Sequence, residues 1–533
     1  MRPLLERLGG FLPAAIALAL PTVFIPVAVD SYILPRAAIA IAGAGLGFGL
    51  ALLLPAGPGL GRLRIPLIAA TAAALLAFAF SVSWPVSLMG SYTRYESLPI
   101  RVGYLGLLAI GVWLLRDQAA RDRVIPAFVI GTSIASLEAL GQAFLLYNHA
   151  IDYRPDGNVG NANLLGALLA MAIPLAFARG MRGGRFALVW WLGLILMAAA
   201  VVATTSRSGG LGALAGSLAV VVFMLKRRNA LIGAAVAVAL VGVGLAVIAL
   251  SPLRFLNDDP GPTRLHLWPD AIRMIAARPL TGWGEDATGL VYGRFLSGDW
   301  APEVDRAHSG PLDIAATQGI LGLGALAWIL FTLFRGGWRW RFTESIGALT
   351  AACIGYSVWV LFNFDWVPAT AAFWVLAGTA WASVRAAETE SGSPAAVPDE
   401  PGLRRRTAGA VVAVMLAASV AGLAAMPVLA DIWYSQSRLD LSVIVDPLQG
   451  RYHWALGQSL VGIGSNSRGL TQMLLAAQLG ESDPQLYVDI GDTYQQLGRS
   501  AEARAAYRMA VKIDPYYRPA ILRLAGKGVP PPG

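Results

Sequence analysis

Residues 187–225 read ALVWWLGLILMAAAVVATTSRSGGLGALAGSLAVVVFML. Two apolar runs, 187–204 and 211–225, flank the polar break Thr204-Thr205-Ser206-Arg207-Ser208-Gly209-Gly210, and Arg207 is the one charge in the stretch. Each run approaches the length that a helix needs to cross a hydrocarbon core. The pattern recurs along the chain. Further runs lie at 11–29, 37–55, 65–81, 100–115, 124–146, 163–178, 230–250, 319–334, 343–361, 367–384 and 408–430, giving about thirteen predicted spans. The expected class is therefore all-α, a polytopic bundle of membrane helices.

Composition supports this and removes other classes. Of the 533 residues, 56% are hydrophobic and only 14% charged, against roughly 25% charged in an ordinary soluble domain, and mean hydropathy is +0.59. So few charges cannot cover a water-soluble globule of this size. The single cysteine, Cys353, excludes an intramolecular disulfide and any cysteine-clustered zinc site. Four histidines, His149, His266, His308 and His453, leave little room for a His-rich metal centre. A net charge of +9 would suit nucleic acid, but the arginines sit in small clusters between apolar runs, where topology explains them better.

Those clusters test the span count, because a wrong count would scramble their alternation. With the N-terminus inside, the cytoplasmic segments carry Arg2 and Arg7; Arg62 and Arg64; Arg116, Arg121 and Arg123; Arg179, Arg182 and Arg185; Lys226, Arg227 and Arg228; Arg335, Arg339 and Arg341; and Arg404, Arg405 and Arg406. The other loops hold isolated arginines such as Arg36, Arg94, Arg154 and Arg207. Residues 1–29 imitate a signal peptide but lack a convincing cleavage site, and are read as the first span.

The predicted organisation is a membrane domain over 1–385 with a long outer loop at 251–318, a disordered cytoplasmic linker at 386–407, a last span at 408–430 and an extracytoplasmic tail at 431–533. The tail repeats. Gly457 and Gly491 are 34 residues apart, as are Gly464 and Gly498, and Asp-Pro pairs recur at 446/447, 483/484 and 514/515. A period near 34 marks tetratricopeptide helix hairpins, and two such repeats bury little alone, so the array is expected to lean on the membrane domain or on a partner.

Arginines at the outer membrane boundary are functional candidates, because such a charge is costly without an anion. Arg207, between Ser206 and Ser208 and followed by glycines, offers a guanidinium fork, hydroxyl donors and an approachable backbone for phosphate oxygens. A snorkelling arginine at a span end is the plainer alternative. In the outer loop, Arg264, Trp268, Ile272 and Ile275 follow helical spacing, which predicts an amphipathic helix against the membrane face that ends before Pro279. Gly282-Trp283-Gly284 reads as a turn with an interfacial tryptophan, and His308, just ahead of the next span, as a catalytic or a structural histidine.

In combination these pieces resemble the O-antigen ligase and polymerase superfamily of bacterial envelope glycan enzymes. The resemblance rests on Gly90-Ser91-Tyr92-Thr93-Arg94-Tyr95, on Arg154 followed by Gly157 to Leu164, and on Thr205-Ser206-Arg207-Ser208-Gly209. Arg264 to Trp268, Pro279 to Gly284 and Ala307-His308 complete it, and the set covers roughly 60–365. It implies transfer of a glycan from a polyprenyl-diphosphate carrier to an acceptor hydroxyl, outside the cytoplasmic membrane. Arg207 and Arg264 would hold the diphosphate, His308 would assist the acceptor, and Arg94, Arg154, Ser206, Ser208 and Trp268 would bind substrate.

Physical chemistry agrees with that assignment. A diphosphate leaving group gathers negative charge as the glycosidic bond breaks, so fixed guanidiniums would stabilise the transition state. A neutral imidazole would take the acceptor proton. Attack from the opposite face would invert the anomeric centre. No cofactor or metal is expected, since arginine does the neutralising. The family commonly has asparagine after the histidine; here Ser309 follows.

Ligase, polymerase and protein O-oligosaccharyltransferase share this machinery, so the acceptor, whether lipid, glycan or protein, stays open. A metal-dependent transferase would use Asp30 or Asp258-Asp259. A lipid-linked glycan transporter would need cations lining several spans. A membrane-anchored scaffold would work through the repeats and their protein partner.

Overall fold

The computed structural model describes residues 2–55, 58–224, 261–298, 304–391 and 403–526. The predicted span 230–250, the cluster Lys226-Arg227-Arg228, Asp258-Asp259 and the middle of the predicted linker lie outside the described residues. Among the described residues all regular structure is helical. The first nine helices are α1 (Arg2–Thr22), α2 (Ile33–Leu53), α3 (Arg64–Ala79), α4 (Trp84–Met89), α5 (Leu98–Leu114), α6 (Gln118–Tyr147), α7 (Ala162–Arg182), α8 (Ala187–Thr204) and α9 (Arg207–Met224). Then follow α10 (Gly261–Ala277), the short α11 (Gly289–Tyr292), α12 (Gly310–Arg339), α13 (Glu344–Val360), α14 (Val367–Glu390) and α15 (Leu403–Ser435). The tail holds α16 (Leu439–Val445), α17 (Gly450–Gly462), α18 (Asn466–Gln478), α19 (Pro484–Gln496), α20 (Ser500–Ile513) and α21 (Arg518–Leu524).

Among the described helices, nine are long and apolar enough to cross a membrane by length and composition, and α5 and α9 are apolar but shorter. The chain is a multi-pass membrane protein. Helices α7 and α14 are apolar all round and almost wholly buried, which makes them the hubs of the bundle. Helix α7 packs against α8, α9 and α13, while α14 packs against α5 and α13. By contrast α8 and α15 leave Leu188, Val189, Leu192, Ile195, Val412 and Met415 exposed, as lipid-facing helices do. Small residues let the hub helices approach. A Cβ on Gly209 of α9 would lie 2.7 Å from the Gly166 Cα of α7, so only glycine fits that crossing.

One end of the bundle gathers the arginine-rich loops, where Arg179 pairs with Asp122 (3.6 Å) and Glu344 (3.2 Å). The predicted linker is shorter than read, because α14 runs to Glu390 and α15 begins at Leu403. The opposite end carries a helical cap. In α10, which ends before Pro279, the buried stripe is Leu267, Asp270, Ala271 and Met274, packed on Trp283, Val291, Tyr292 and Ala307. Ile272 is exposed, so the helix builds a small core of its own as well as presenting Arg264 and Trp268 on a different face.

Trp283 is a core residue rather than an interfacial one. Its backbone N–H donates to Ala316 O (2.9 Å) and its indole N–H to Met274 O (2.9 Å). Gly282 takes φ +67°, and a Cβ there would lie 2.4 Å from the Thr317 carbonyl, so this turn requires glycine. At Gly319 (φ 70°, ψ −170°) helix α12 kinks, and Ile320 N–H is satisfied by Pro279 O (2.8 Å), which ties the cap to the start of the span.

The tail leans on this same end. Asp431, at the end of α15, is fully buried and accepts from Tyr92 Oη (2.6 Å), Tyr452 Oη (3.2 Å) and Asp30 N–H (2.8 Å). One carboxylate thus joins the α1–α2 loop, the loop after α4 and the first tail hairpin. Within the tail, Trp454, Leu470, Met473, Leu486, Ile490 and Ala506 form one core across the hairpins α17–α18 and α19–α20.

Candidate functional site

His308 sits in the segment that enters α12, with its backbone in the left-handed region (φ 52°). Its neighbour Ala307 is held at both polar backbone atoms. Trp268 donates its indole N–H to Ala307 O (3.0 Å), and Ala307 N–H donates to Asp313 Oδ1 (2.8 Å). Trp268 therefore positions the histidine backbone through its only polar atom. Arg264 lies one helical turn before Trp268 on the same face of α10, which brings its guanidinium into the electrostatic neighbourhood of His308.

The imidazole meets the Phe364 ring edge-on, with centroids 5.2 Å apart. Arg94 shares that ring. Its guanidinium lies 4.8 Å from the Phe364 centroid and 4.5 Å from the Trp366 centroid, and pairs with Asp305 (2.8 Å). Arg306, buried, pairs with the buried Asp286. So Arg94, Arg264, Trp268 and His308 come together, with Asp305, Arg306 and Phe364 added by the fold.

Burial pushes the His308 pKa down, Asp305 opposes this, and the cations Arg264, Arg94 and Arg306 reinforce it, leaving a value of about 4. The imidazole is neutral at pH 7, with a nitrogen lone pair for a proton. A histidine whose folded pKa lies below its unfolded value adds stability above the unfolded pKa near 6.5, and this is lost as pH falls through about 4. We expect the His308 ring signals of ¹⁵N-histidine-labelled protein to titrate below pH 5. A midpoint near 6.5 would contradict the environment described.

A second group forms at the α8–α9 turn. Arg154 donates to Thr204 O (2.8 and 3.1 Å) and to Asn163 Oδ1 (3.2 Å), and Ser206 Oγ donates to the same Asn163 oxygen (3.2 Å). Ser206 also caps α9 by accepting from Gly209 N–H (3.2 Å), which places Arg207 and Ser208 in the first turn of that helix. Arg154 thus braces the turn that presents Arg207. The Arg207 side chain is exposed. Ser208 Oγ accepts from Asn363 Nδ2 (2.9 Å), and Asn363 immediately precedes Phe364, so this group and the His308 group meet at 363–364. The α9 N-terminus, with its positive dipole end, suits an anion.

Beneath both groups lies a cluster that sequence reading missed. Arg101 of α5 is buried and meets Asp365 (2.7 Å), Glu285 (3.2 Å) and Glu96 (3.6 Å), while Gln318 donates to Glu285 (2.6 Å). Burial raises the Glu96 carboxyl to about 7, against the opposing pull of Arg101, and Tyr104 Oη donates to it (2.6 Å). The cluster locks the segment 363–366 under His308. Asn363 and Phe364 were missed as well, since neither carries a charge or a recognisable motif.

Two other candidates are structural. Arg36 is buried and donates to three carbonyls, of Leu20 (2.6 Å), Tyr32 (2.7 Å) and Asn158 (2.9 Å), bracing α1, α2 and the loop before α7. Asp30 accepts from Tyr32 N–H (3.1 Å) and Ile33 N–H (2.8 Å) at the start of α2. Among the described residues no group of three or more His, Cys, Asp or Glu side chains could hold a metal ion.

A family model described as O-antigen ligase matches residues 192–327, and one described as tetratricopeptide repeat matches 484–517. The first match contains Arg207, Arg264, Trp268 and His308; the second covers α19 and α20. No curated protein matches the chain. The resemblance drawn from the motifs is thus borne out, and the match supports a membrane glycan transferase of the O-antigen ligase type with a repeat tail.

Proposed function

We propose that the chain transfers a glycan from a polyprenyl-diphosphate carrier to an acceptor hydroxyl, with inversion and without a metal, at the bundle end that bears the cap and the tail. The observation that supports this most is a neutral imidazole within the field of Arg264 and Arg94, packed against the segment 363–364 that also meets the α9 N-terminus. Arg264 and Arg207 hold the diphosphate, Arg94 completes the cationic rim, and Ser206 and Ser208 shape the anion-binding turn. As the anomeric C–O bond breaks, the electron pair stays on the diphosphate oxygen, where the guanidiniums stabilise it. The acceptor oxygen bonds to the anomeric carbon from the other face and its proton passes to His308.

The membrane is the bacterial cytoplasmic membrane, with the N-terminus in the cytoplasm and the site and tail outside. This orientation puts the arginine clusters of the opposite end in the cytoplasm. Ligase, polymerase and protein O-oligosaccharyltransferase remain versions of one reaction, separated by the acceptor. The buried charges do not favour a transporter: Arg36 and Arg101 are each held by fixed partners within the fold.

The test is product formation in proteoliposomes given a polyprenyl-diphosphate glycan and a panel of acceptors. Wild type is expected to make product in excess chelator. Arg207→Ala and Arg264→Ala are expected to lose at least about 100-fold, as when one fixed oxyanion donor is removed. Activity abolished by chelation, or unchanged in both variants, would refute the reading.

A further inference from the structure

Between the cap and the tail lies a cavity of about 360 Å³, within the range of about 300–1,000 Å³ usual for small-molecule sites. One wall comes from the bundle end, with Tyr92, Arg94, Gly289 and Asp305. The other comes from the tail, with Arg451 of α17, the α18–α19 turn at Glu481 to Pro484, and Ile513-Asp514 at the end of α20. The walls meet closely. A Cβ on Gly289 would stand 3.4 Å from Ser482 Oγ and 3.6 Å from Asp305 Cβ.

Arg94 and Asp305 belong both to this cavity and to the surroundings of His308. A molecule resting here therefore lies against the ion pair beside the imidazole. The lining shares Arg94 with the diphosphate rim but carries more carboxylates than cations. Its carboxylates are Asp286, Asp305, Glu481, Asp483 and Asp514, against two guanidiniums, Arg94 and Arg451. A polyanion is repelled by such a surface, whereas carboxylates and guanidiniums together accept from and donate to vicinal hydroxyls, and Tyr92 offers an aromatic ring. A peptide would call for apolar side-chain pockets, and the lining has few apolar residues.

We propose that this cavity is the acceptor subsite, that it takes the hydroxyl-rich end of a saccharide without anionic groups, and that the repeat tail forms its outer wall. The proposal deepens the transfer reading and rests on it for the word acceptor. It gives the tail a direct part in substrate choice. The donor approaches the cationic rim of Arg207 and Arg264, the acceptor enters from the acidic side, and His308 lies between.

The experiment uses the full chain in nanodiscs without donor. Saturation-transfer NMR is run with maltotriose, a glucosamine trimer, glucose 6-phosphate and a serine-rich peptide. Wild type is expected to bind the first two and neither of the others. Ser482→Trp and Gly289→Trp fill the cavity from opposite walls, and each is expected to weaken maltotriose binding about tenfold or more. An unchanged thermal melt shows that each variant is folded.

Saccharide binding that is undiminished in both folded variants, or absent from wild type, overturns the proposal, as does binding of the peptide alone. The two readings fail separately. If no carrier-linked glycan is ever transferred while the filled variants lose maltotriose, the cavity stands as a saccharide site and the transfer reading falls. If both variants transfer glycan with wild-type acceptor KM, the cavity proposal falls and the transfer reading stands.

Discussion

Replacing His308 with alanine is expected to slow glycan transfer by about 10²- to 10⁴-fold, the usual range for a lost general base. The loss should fall on kcat, with the KM for the donor little changed, because the imidazole acts on the acceptor proton and the guanidiniums hold the diphosphate. A free-enzyme pKa of about 4 makes a weak base. Two of the cations that depress it, Arg264 and Arg94, face the proposed donor position, and a bound diphosphate offsets their field. The base therefore strengthens when the donor is in place. The acid limb of kcat, which reports the complex, should accordingly lie at higher pH than that of kcat/KM, which reports the free enzyme. Full activity in His308→Ala, measured with saturating donor, would remove the histidine from the mechanism.

Substituting Arg101 by methionine is expected to destabilise the folded chain by about 3–5 kcal/mol, the cost of removing one partner from a buried ion pair. Among the described residues, Glu285 would be left buried with only Gln318 as a side-chain partner, and Asp365 with only Tyr356. A large fall in the thermal midpoint should follow, partly restored when Glu285→Gln is added, because the second change removes an uncompensated charge. A shift equivalent to less than about 1 kcal/mol, the value of an exposed pair, would mean that the cluster is not buried as described. The double variant is also informative for activity. Arg101 touches neither proposed substrate, so activity lost in a refolded double variant would come through movement of 363–366.

The bundle was readable because lipid forces long apolar runs, and those runs survive in the sequence as contiguous blocks. The helix ending before Pro279 and the turn at 282–284 were legible from local helical spacing and from glycine. Their burial was not. The spacing of Arg264, Trp268, Ile272 and Ile275 marked a face, yet the fold buries Leu267, Asp270, Ala271 and Met274 instead, because the cap supplies a partner for that stripe.

Side-chain roles were the hardest to foresee. Arg154 and Trp268 were visible as polar punctuation, but their partners are the carbonyls of Thr204 and Ala307, which no motif encodes. Arg101 sits in an apolar run whose period says nothing of Glu285 and Asp365, 184 and 264 residues further on. Period alone identified the tail. Its attachment through Asp431 depends on Tyr92, Tyr452 and Asp30, which are remote from one another in the chain. Ser309, where the family commonly has asparagine, is the residue before the first turn of α12 and caps it with no side-chain bond.

The most direct test is a cryo-electron microscopy structure of the full chain with a polyprenyl-diphosphate glycan bound. The account predicts the diphosphate between Arg264 and Arg207 at the start of α9, with the anomeric carbon open to an acceptor oxygen within hydrogen-bond reach of His308. A diphosphate seated elsewhere on the molecule, with Arg207, Arg264 and His308 facing separate spaces, would contradict it.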